Sequence, residues 1–176
     1  MSGVAVIALV AMGAISVPYF TKVKLTKSDI TIGSMHIGKV TKIQDGDTIE
    51  VDTSGNQVVI RFACVDSPES TQEPWGNNAS NFLEDIIPVG SEVQYKTITT
   101  DRFSRSVSEV YKGDALINRE LVAKGHAAVY TQYLSSCPDT KDTYLQAESK
   151  AKTQKLGFWN QSNVCLPWNF RSKKCQ

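Results

Sequence analysis

Two short segments of this sequence concentrate residues that could do chemistry. The first is Asp45-Gly46-Asp47-Thr48. Asp and Gly are good turn formers, so the plain reading of this segment is a tight turn. The second runs Arg61-Phe62-Ala63-Cys64-Val65-Asp66-Ser67-Pro68-Glu69. Arg61 interrupts an otherwise apolar stretch from Val58 to Val65, and a buried guanidinium left without an anion costs several kcal/mol. Asp66 and Glu69 follow on a proline-containing turn and can supply that anion. Carboxylates beside an arginine make either a structural ion network or a site for a metal ion and a phosphate. His36 and His126 are the only histidines and lie outside both segments, which argues against histidine-based catalysis. No C-x-x-C spacing occurs, so a zinc site is not expected.

The elements that must position these residues follow from periodicity. Strands are expected at residues 37–43, 48–52 and 57–65, the last two joined by the turn Ser54-Gly55-Asn56. Ala79, Phe82, Leu83 and Ile86 share the face of an amphipathic helix that Pro88 stops. Residues 92–99 and 106–111 alternate as two further strands. Asp114 can cap a helix over 115–124 closed by Gly125. Asp139 or Thr140 can cap a third, with Tyr144, Ala147 and Ala151 on one face. Beyond Leu156 the chain reads as loop. The order predicts an α+β fold: a five-stranded OB-type β-barrel with three α-helices. Such barrels often bind oligonucleotides, although fold alone does not settle function.

The chain has 176 residues, enough for one domain, with 41% hydrophobic and 21% charged residues, which excludes disordered and collagen-like classes. The net charge is +1, but Lys150, Lys152, Lys155, Arg171, Lys173 and Lys174 face no acidic residue after Glu148, leaving −5 on the rest. A cationic end can help hold a polyphosphate or can simply be a solvated tail. Val4 to Val17 is an apolar run of 14 residues, short for a bilayer span and suited to a signal peptide. Ala11-Met12-Gly13 and Ala14-Ile15-Ser16 offer small residues for cleavage, and a mature start between Ala14 and Val17 is expected. The competing reading is an uncleaved membrane anchor extending to Phe20, because Lys22, Lys24 and Lys27 follow the run. Secretion or periplasmic export is expected, as a monomer. Residues 21–35 read as a linker. Cys64 reads as a buried thiol, and a Cys137–Cys165 bridge is expected in an oxidising compartment.

Three segments, Asp45-Gly46-Asp47-Thr48, Arg61 through Val65-Asp66-Ser67-Pro68-Glu69, and Asp101-Arg102-Phe103-Ser104-Arg105, resemble the signature segments of the staphylococcal nuclease family in order and spacing. Leu121-Val122-Ala123-Lys124-Gly125, the stretch Ala147 to Lys152 and Leu156-Gly157-Phe158-Trp159 resemble that family's later helices. The likeness covers residues 36–160, leaving 161–176 as a basic, cysteine-containing tail. It implies a calcium-dependent endonuclease that cuts DNA and RNA with little sequence preference. By the same resemblance, Asp47, Asp66 and the carbonyl of Ser67 bind Ca²⁺, Glu69 activates water, and Arg61 and Arg105 grip the phosphate. Arg102 and Tyr133 contact substrate.

Some positions depart from the family pattern. Ser67 stands for the usual Thr and Phe103 for a Tyr. Of two pocket tyrosines Tyr133 is kept, while the other position reads as Thr131. The loop from Ser70 to Trp75 is shorter. These changes bear on substrate fit more than on chemistry. Trp75, Trp159 and Trp168 could stack on bases, though packing is the commoner role. The alternative function is a non-catalytic OB-fold module that binds single-stranded nucleic acid; the presence of Arg61, Glu69 and Arg105 argues against it.

Overall fold

The computed structural model describes residues 32–175. The apolar run, its cleavage sites and most of the linker lie outside the described residues. β1 (Met35–Asp45) and β2 (Thr48–Thr53) pair antiparallel through the Asp45-Gly46-Asp47 turn. β3 (Asn56–Phe62) follows a tight turn in which Ser54 and Gly55 both take positive φ, as the twist of a two-residue hairpin demands. The third strand was expected to run unbroken to Val65. It instead stops at Phe62, because Cys64 adopts a left-handed conformation at φ 64°, and the chain resumes as the two-residue β4 (Val65–Asp66). α1 (Trp75–Ile86) buries Ala79 and Leu83, and its helical ladder ends one residue before Pro88.

β5 (Glu92–Thr100) and β6 (Ser106–Lys112) form the second hairpin. The helix expected from Ala115 begins later. Gly113 takes φ 58° and turns the chain back, so Ala115–Leu116 pairs with Tyr111 and Lys112 as β7. α2 (Ile117–Ala123) follows, then β8 (Ala128–Val129), a 3-10 turn over Thr131–Ser136, and α3 (Lys141–Thr153). Beyond Leu156 the chain is not all loop: a 3-10 turn at Gly157–Asn160 precedes the short α4 (Pro167–Arg171), which starts on a proline.

The main sheet runs β3-β2-β1-β5-β6, and a parallel β3–β6 pairing from Ile60/Ser106 to Phe62/Ser108 closes it into a five-stranded barrel. This is the expected OB-type α+β architecture, with α4 added to the three longer helices. Alternate residues of the strands, among them Ile49, Val51, Ile60, Phe62, Val93, Tyr95 and Val110, fill the interior. Leu83, Ile87, Leu121, Val122 and Tyr144 cover it from the helices. Asn118 stitches the two layers together, accepting from Val110 N and donating to the carbonyls of Ala63 and Ser108.

The disulfides correct the expected Cys137–Cys165 bridge. Cys64 is bonded to Cys137, and Cys165 to Cys175. Cys64 lies at the break between strands, where its carbonyl accepts from Tyr130 N at 2.9 Å, so it sits beside the 131–136 turn that ends at Cys137. Cys165 and Cys175 flank α4, which folds the tail back on itself to a Cα–Cα distance of 5.8 Å.

Candidate active site

The three charged segments meet at one end of the barrel, around a cavity of about 880 Å³. Asp47, Arg61, Ser67, Glu69, Arg102, Arg105 and Tyr133 all line it. Asp66 lies beneath, fully buried. Thus the eight residues given metal, catalytic or substrate roles by the resemblance lie together in one place, whereas Trp75 and Trp159 do not line the cavity. Thr131 does not line the cavity; its neighbour Tyr130 does.

The floor is set by strand register. Thr48 on β2 faces Arg61 on β3, which fixes Arg61 beside the β1–β2 turn. The Asp45 carboxylate accepts from Asp47 N at 3.0 Å and shapes that turn. Gly46 is required there for space: a Cβ would come within 2.6 Å of the Ala79 Cβ and 2.9 Å of the Ser67 Cβ. The close approach lets Ser67 N donate to Asp47 Oδ2 at 2.6 Å and Ser67 Oγ donate to the Gly46 carbonyl at 2.9 Å. Gly76 does the same for the Glu69 loop, since a Cβ would lie 2.0 Å from the Glu69 carbonyl oxygen. Asp66 is placed by the β4–β8 pairing, and the Cys64–Cys137 bridge ties that pairing to the turn carrying Tyr133.

Arg61 pairs with both Asp47 and Asp66, the latter at 2.5 Å. Burial pushes its guanidinium pKa down, and the carboxylates of Asp66 and Asp45 work in the opposite direction. The ion network expected of a buried arginine is therefore present, and it faces an open cavity.

Across the cavity, Asp101 organises the Arg102–Arg105 turn. Its Oδ1 accepts from Phe103 N and Arg105 N, both at 2.9 Å, and its Oδ2 accepts from Arg105 Nε at 2.8 Å. Partial burial opposes ionisation of Asp101, but the Arg105 hydrogen bonds and charge outweigh it and hold the carboxyl below its usual range. Phe103 is 65% exposed, with the Arg102 guanidinium 4.7 Å from its ring centroid. Tyr133 is 51% exposed and meets Tyr130 edge-on at 4.9 Å. Tyr130 in turn stacks on Trp168 at 5.1 Å and 5°.

Sequence reasoning missed one charged member. Arg171, in the tail, donates from Nη1 and Nη2 to the two oxygens of Asp66, at 3.1 and 2.7 Å, and from Nη1 to Glu69 Oε1 at 2.5 Å. Nothing in its spacing from the carboxylates signals the contact, which spans 105 residues. The only sequence signal is an arginine in a proline-led segment between two cysteines. The hydrogen bonds that Arg171 donates to the Asp66 carboxylate raise its pKa, so it remains charged.

His126 packs in the fold, its imidazole stacked on Phe82 at 4.5 Å and its pKa lowered by burial. Trp159 likewise packs on Phe158, at 4.4 Å.

A closed OB-type barrel with arginines and carboxylates at one end defines a barrel suited to binding phosphodiesters. The comparisons with known proteins make this specific. Residues 59–161 match the family described as staphylococcal nuclease homologue, and the chain belongs to that family. It is 32% identical over 138 residues to a protein of Escherichia coli O157:H7 described as an uncharacterized endonuclease, covering 78% of this chain and 86% of that one. A Haemophilus influenzae protein of the same description is 34% identical over 137 residues, 77% of this chain and 73% of its own. A micrococcal nuclease from Shigella flexneri is 34% identical over 143 residues, covering 76% and 79%.

Proposed function

We propose that this chain is an exported, calcium-dependent nuclease that hydrolyses phosphodiester bonds in DNA and RNA with little sequence preference. The observation that carries the reading is the meeting of Arg61, Glu69 and Arg105 with Asp47 and Asp66 at one cavity of the family's barrel. The donor set fits a hard divalent cation: two carboxylates bridged by one guanidinium, with the Ser67 peptide hydrogen-bonded to the first. Asp47, Asp66 and the Ser67 carbonyl would hold the ion, which when bound polarises phosphate oxygen and lowers the pKa of water.

The chain's own residues supply the rest. A phosphodiester is anionic and repels hydroxide, so the site must offset negative charge and aim a water. Arg61 and Arg105 present planar forks that take phosphate oxygens bidentately and stay charged through a phosphorane-like transition state. Glu69, on the short loop against α1, accepts the proton of the attacking water. Arg102 and Tyr133 on the rim contact the strand. An open cavity with aromatic walls reads no base edge in particular, which suits a broad substrate range.

Two disulfides suit an oxidising compartment, and the N-terminal apolar run supplies a means of export. The test is digestion of single- and double-stranded DNA and of RNA by the purified chain with Ca²⁺ and with chelator. Cutting that needs millimolar-range Ca²⁺ is expected. Full activity in excess chelator would refute the metal assignment, and binding without cutting would favour the non-catalytic OB module.

A further inference from the structure

The C-terminal segment lies outside the residues that match the family, 59–161, yet it reaches the centre of the site. Three independent contacts dock it. Gln72, buried on the Glu69 loop, donates from Nε2 to the Cys165 carbonyl at 2.7 Å. Trp168 stacks flat on Tyr130, and Pro167 is buried. The Cys165–Cys175 bridge then closes the segment into a small loop, so α4 cannot drift from these anchors. Arg171 is the last residue of α4 and is held over Asp66 and Glu69.

The contact is specific to the carboxylates expected to do the chemistry. Arg171 uses two nitrogens on the two oxygens of Asp66, the bidentate geometry in which guanidinium and carboxylate match best. Arg61 takes Asp66 Oδ1 as well, so both oxygens of the buried carboxylate are already satisfied. The same guanidinium binds Glu69, the residue assigned to activate water. A second cavity, of about 420 Å³, adjoins and is lined by Glu69, Thr71, Phe170, Arg171, Lys173 and Cys175. Arg171 therefore lines both cavities, and the second offers its side chain a place away from the carboxylates.

We propose that Arg171 is a tethered counter-ion that competes with the divalent cation for Asp66 and masks Glu69, so that cation binding requires its withdrawal. The proposal rests on the metal reading given above. A guanidinium and a metal ion cannot both take the outward lone pairs of one buried carboxylate. The apparent affinity for the cation is thus reduced by the fraction of time Arg171 is away. The loop keeps that competitor at a high effective concentration.

The test is a calcium chloride titration of the full chain, followed by the amide resonances of Asp47 and Ser67, on wild type, Arg171→Gln, Arg171→Lys and the Cys165→Ser/Cys175→Ser double variant. Arg171→Gln should bind Ca²⁺ on the order of tenfold more tightly, with Arg171→Lys between it and wild type. The double variant, whose loop is no longer closed, should shift the same way as Arg171→Gln but less. In chelator, Arg171→Gln should also melt earlier than wild type, and the gap should shrink as Ca²⁺ saturates the site. Equal or weaker Ca²⁺ binding by folded Arg171→Gln would overturn the proposal. If that variant still cuts DNA only with Ca²⁺, the nuclease reading stands and the counter-ion role alone falls. If neither protein binds Ca²⁺ and both cut in chelator, the metal reading falls and takes this proposal with it.

Discussion

The floor and the rim of the cavity are built on different principles. The floor residues Asp47, Asp66 and Ser67 are no more than 4% exposed, and strand pairing and close glycine contacts fix them. The rim residues Phe103 and Tyr133 are 65% and 51% exposed, and they ride on turns held by local hydrogen bonds and a disulfide. A charge in the floor is tied to the fold, because each partner it loses leaves another buried charge uncompensated. A side chain on the rim can change and alter only what the cavity prefers to hold. Of the departures from the family pattern, Phe103 and Thr131 are exposed, and Ser67, the one in the floor, is a Ser-for-Thr exchange that keeps a hydroxyl donating to the Gly46 carbonyl.

The largest effects should therefore come from the floor and should combine chemistry with stability. Arg61→Lys keeps the charge but loses the fork that spans Asp47 and Asp66, so single-turnover cleavage should fall by a factor on the order of 10²–10³. Asp66→Ala should cost roughly 3–5 kcal/mol in urea unfolding, since it takes one of two carboxylates from the buried Arg61 guanidinium and the bidentate partner from Arg171. Gly46→Ala tests the space argument, with an expected loss of about 1–3 kcal/mol from the forced shift of Ala79 or Ser67. A fully stable Asp66→Ala protein would erase the distinction between floor and rim.

The two disulfides sharpen the comparison at the next scale. The Cys64–Cys137 bridge spans 73 residues and joins floor to rim, so its removal by paired Ser substitution should cost about 4 kcal/mol on chain-entropy grounds. The Cys165–Cys175 bridge spans 10 residues and serves only the tail, so its loss should cost about 2–3 kcal/mol at most. Urea denaturation of the two double variants decides the ranking, and the reverse order would show that the tail carries more of the fold than its packing indicates.

Much of this site was legible in the sequence, for a physical reason. An arginine inside an apolar strand has to be paired, and the carboxylates on the neighbouring turns were the nearest candidates. The barrel was legible because residues 92–99 and 106–111 alternate, the third strand is apolar almost throughout, and Gly55 and Pro88 punctuate the chain. What was hidden depended on single backbone angles or on distant contacts. The left-handed turn at Cys64 broke a strand that periodicity alone would continue, and it moved Cys64 from a buried thiol to a bridge with Cys137. Gly113 converted the first turn of an expected helix into β7. Arg171 read only as part of a cationic end that holds a polyphosphate or is solvated, because tertiary docking of the tail through Gln72 and Tyr130 leaves no trace in local pattern.

Rim substitutions should have smaller and separable effects. Arg102→Ala and Tyr133→Ala should each weaken single-stranded DNA binding severalfold while leaving single-turnover cleavage at saturation nearly unchanged, since base stacking and an exposed cation contribute mainly to affinity. A loss of saturated turnover comparable to that of Arg61→Lys would move either residue into the chemistry.

The smallest effect lies away from both regions. Burial lowers the pKa of His126, so the unfolded chain takes up a proton that the folded one refuses as the pH falls below the ordinary imidazole value of about 6.5. Stability should decline on acidification through that window, and His126→Asn should flatten the decline as read from thermal midpoints between pH 7 and 5. An unchanged slope in the variant would assign the dependence to other groups.

The central claim is that Glu69 activates the attacking water, and Glu69→Gln tests it most directly. The substitution keeps size and shape, removes the base, and takes a negative charge away from the phosphate. Single-turnover cleavage by the folded variant should fall by orders of magnitude while its affinity for single-stranded DNA is kept or slightly improved. Cleavage by folded Glu69→Gln at near wild-type rate would contradict the assignment.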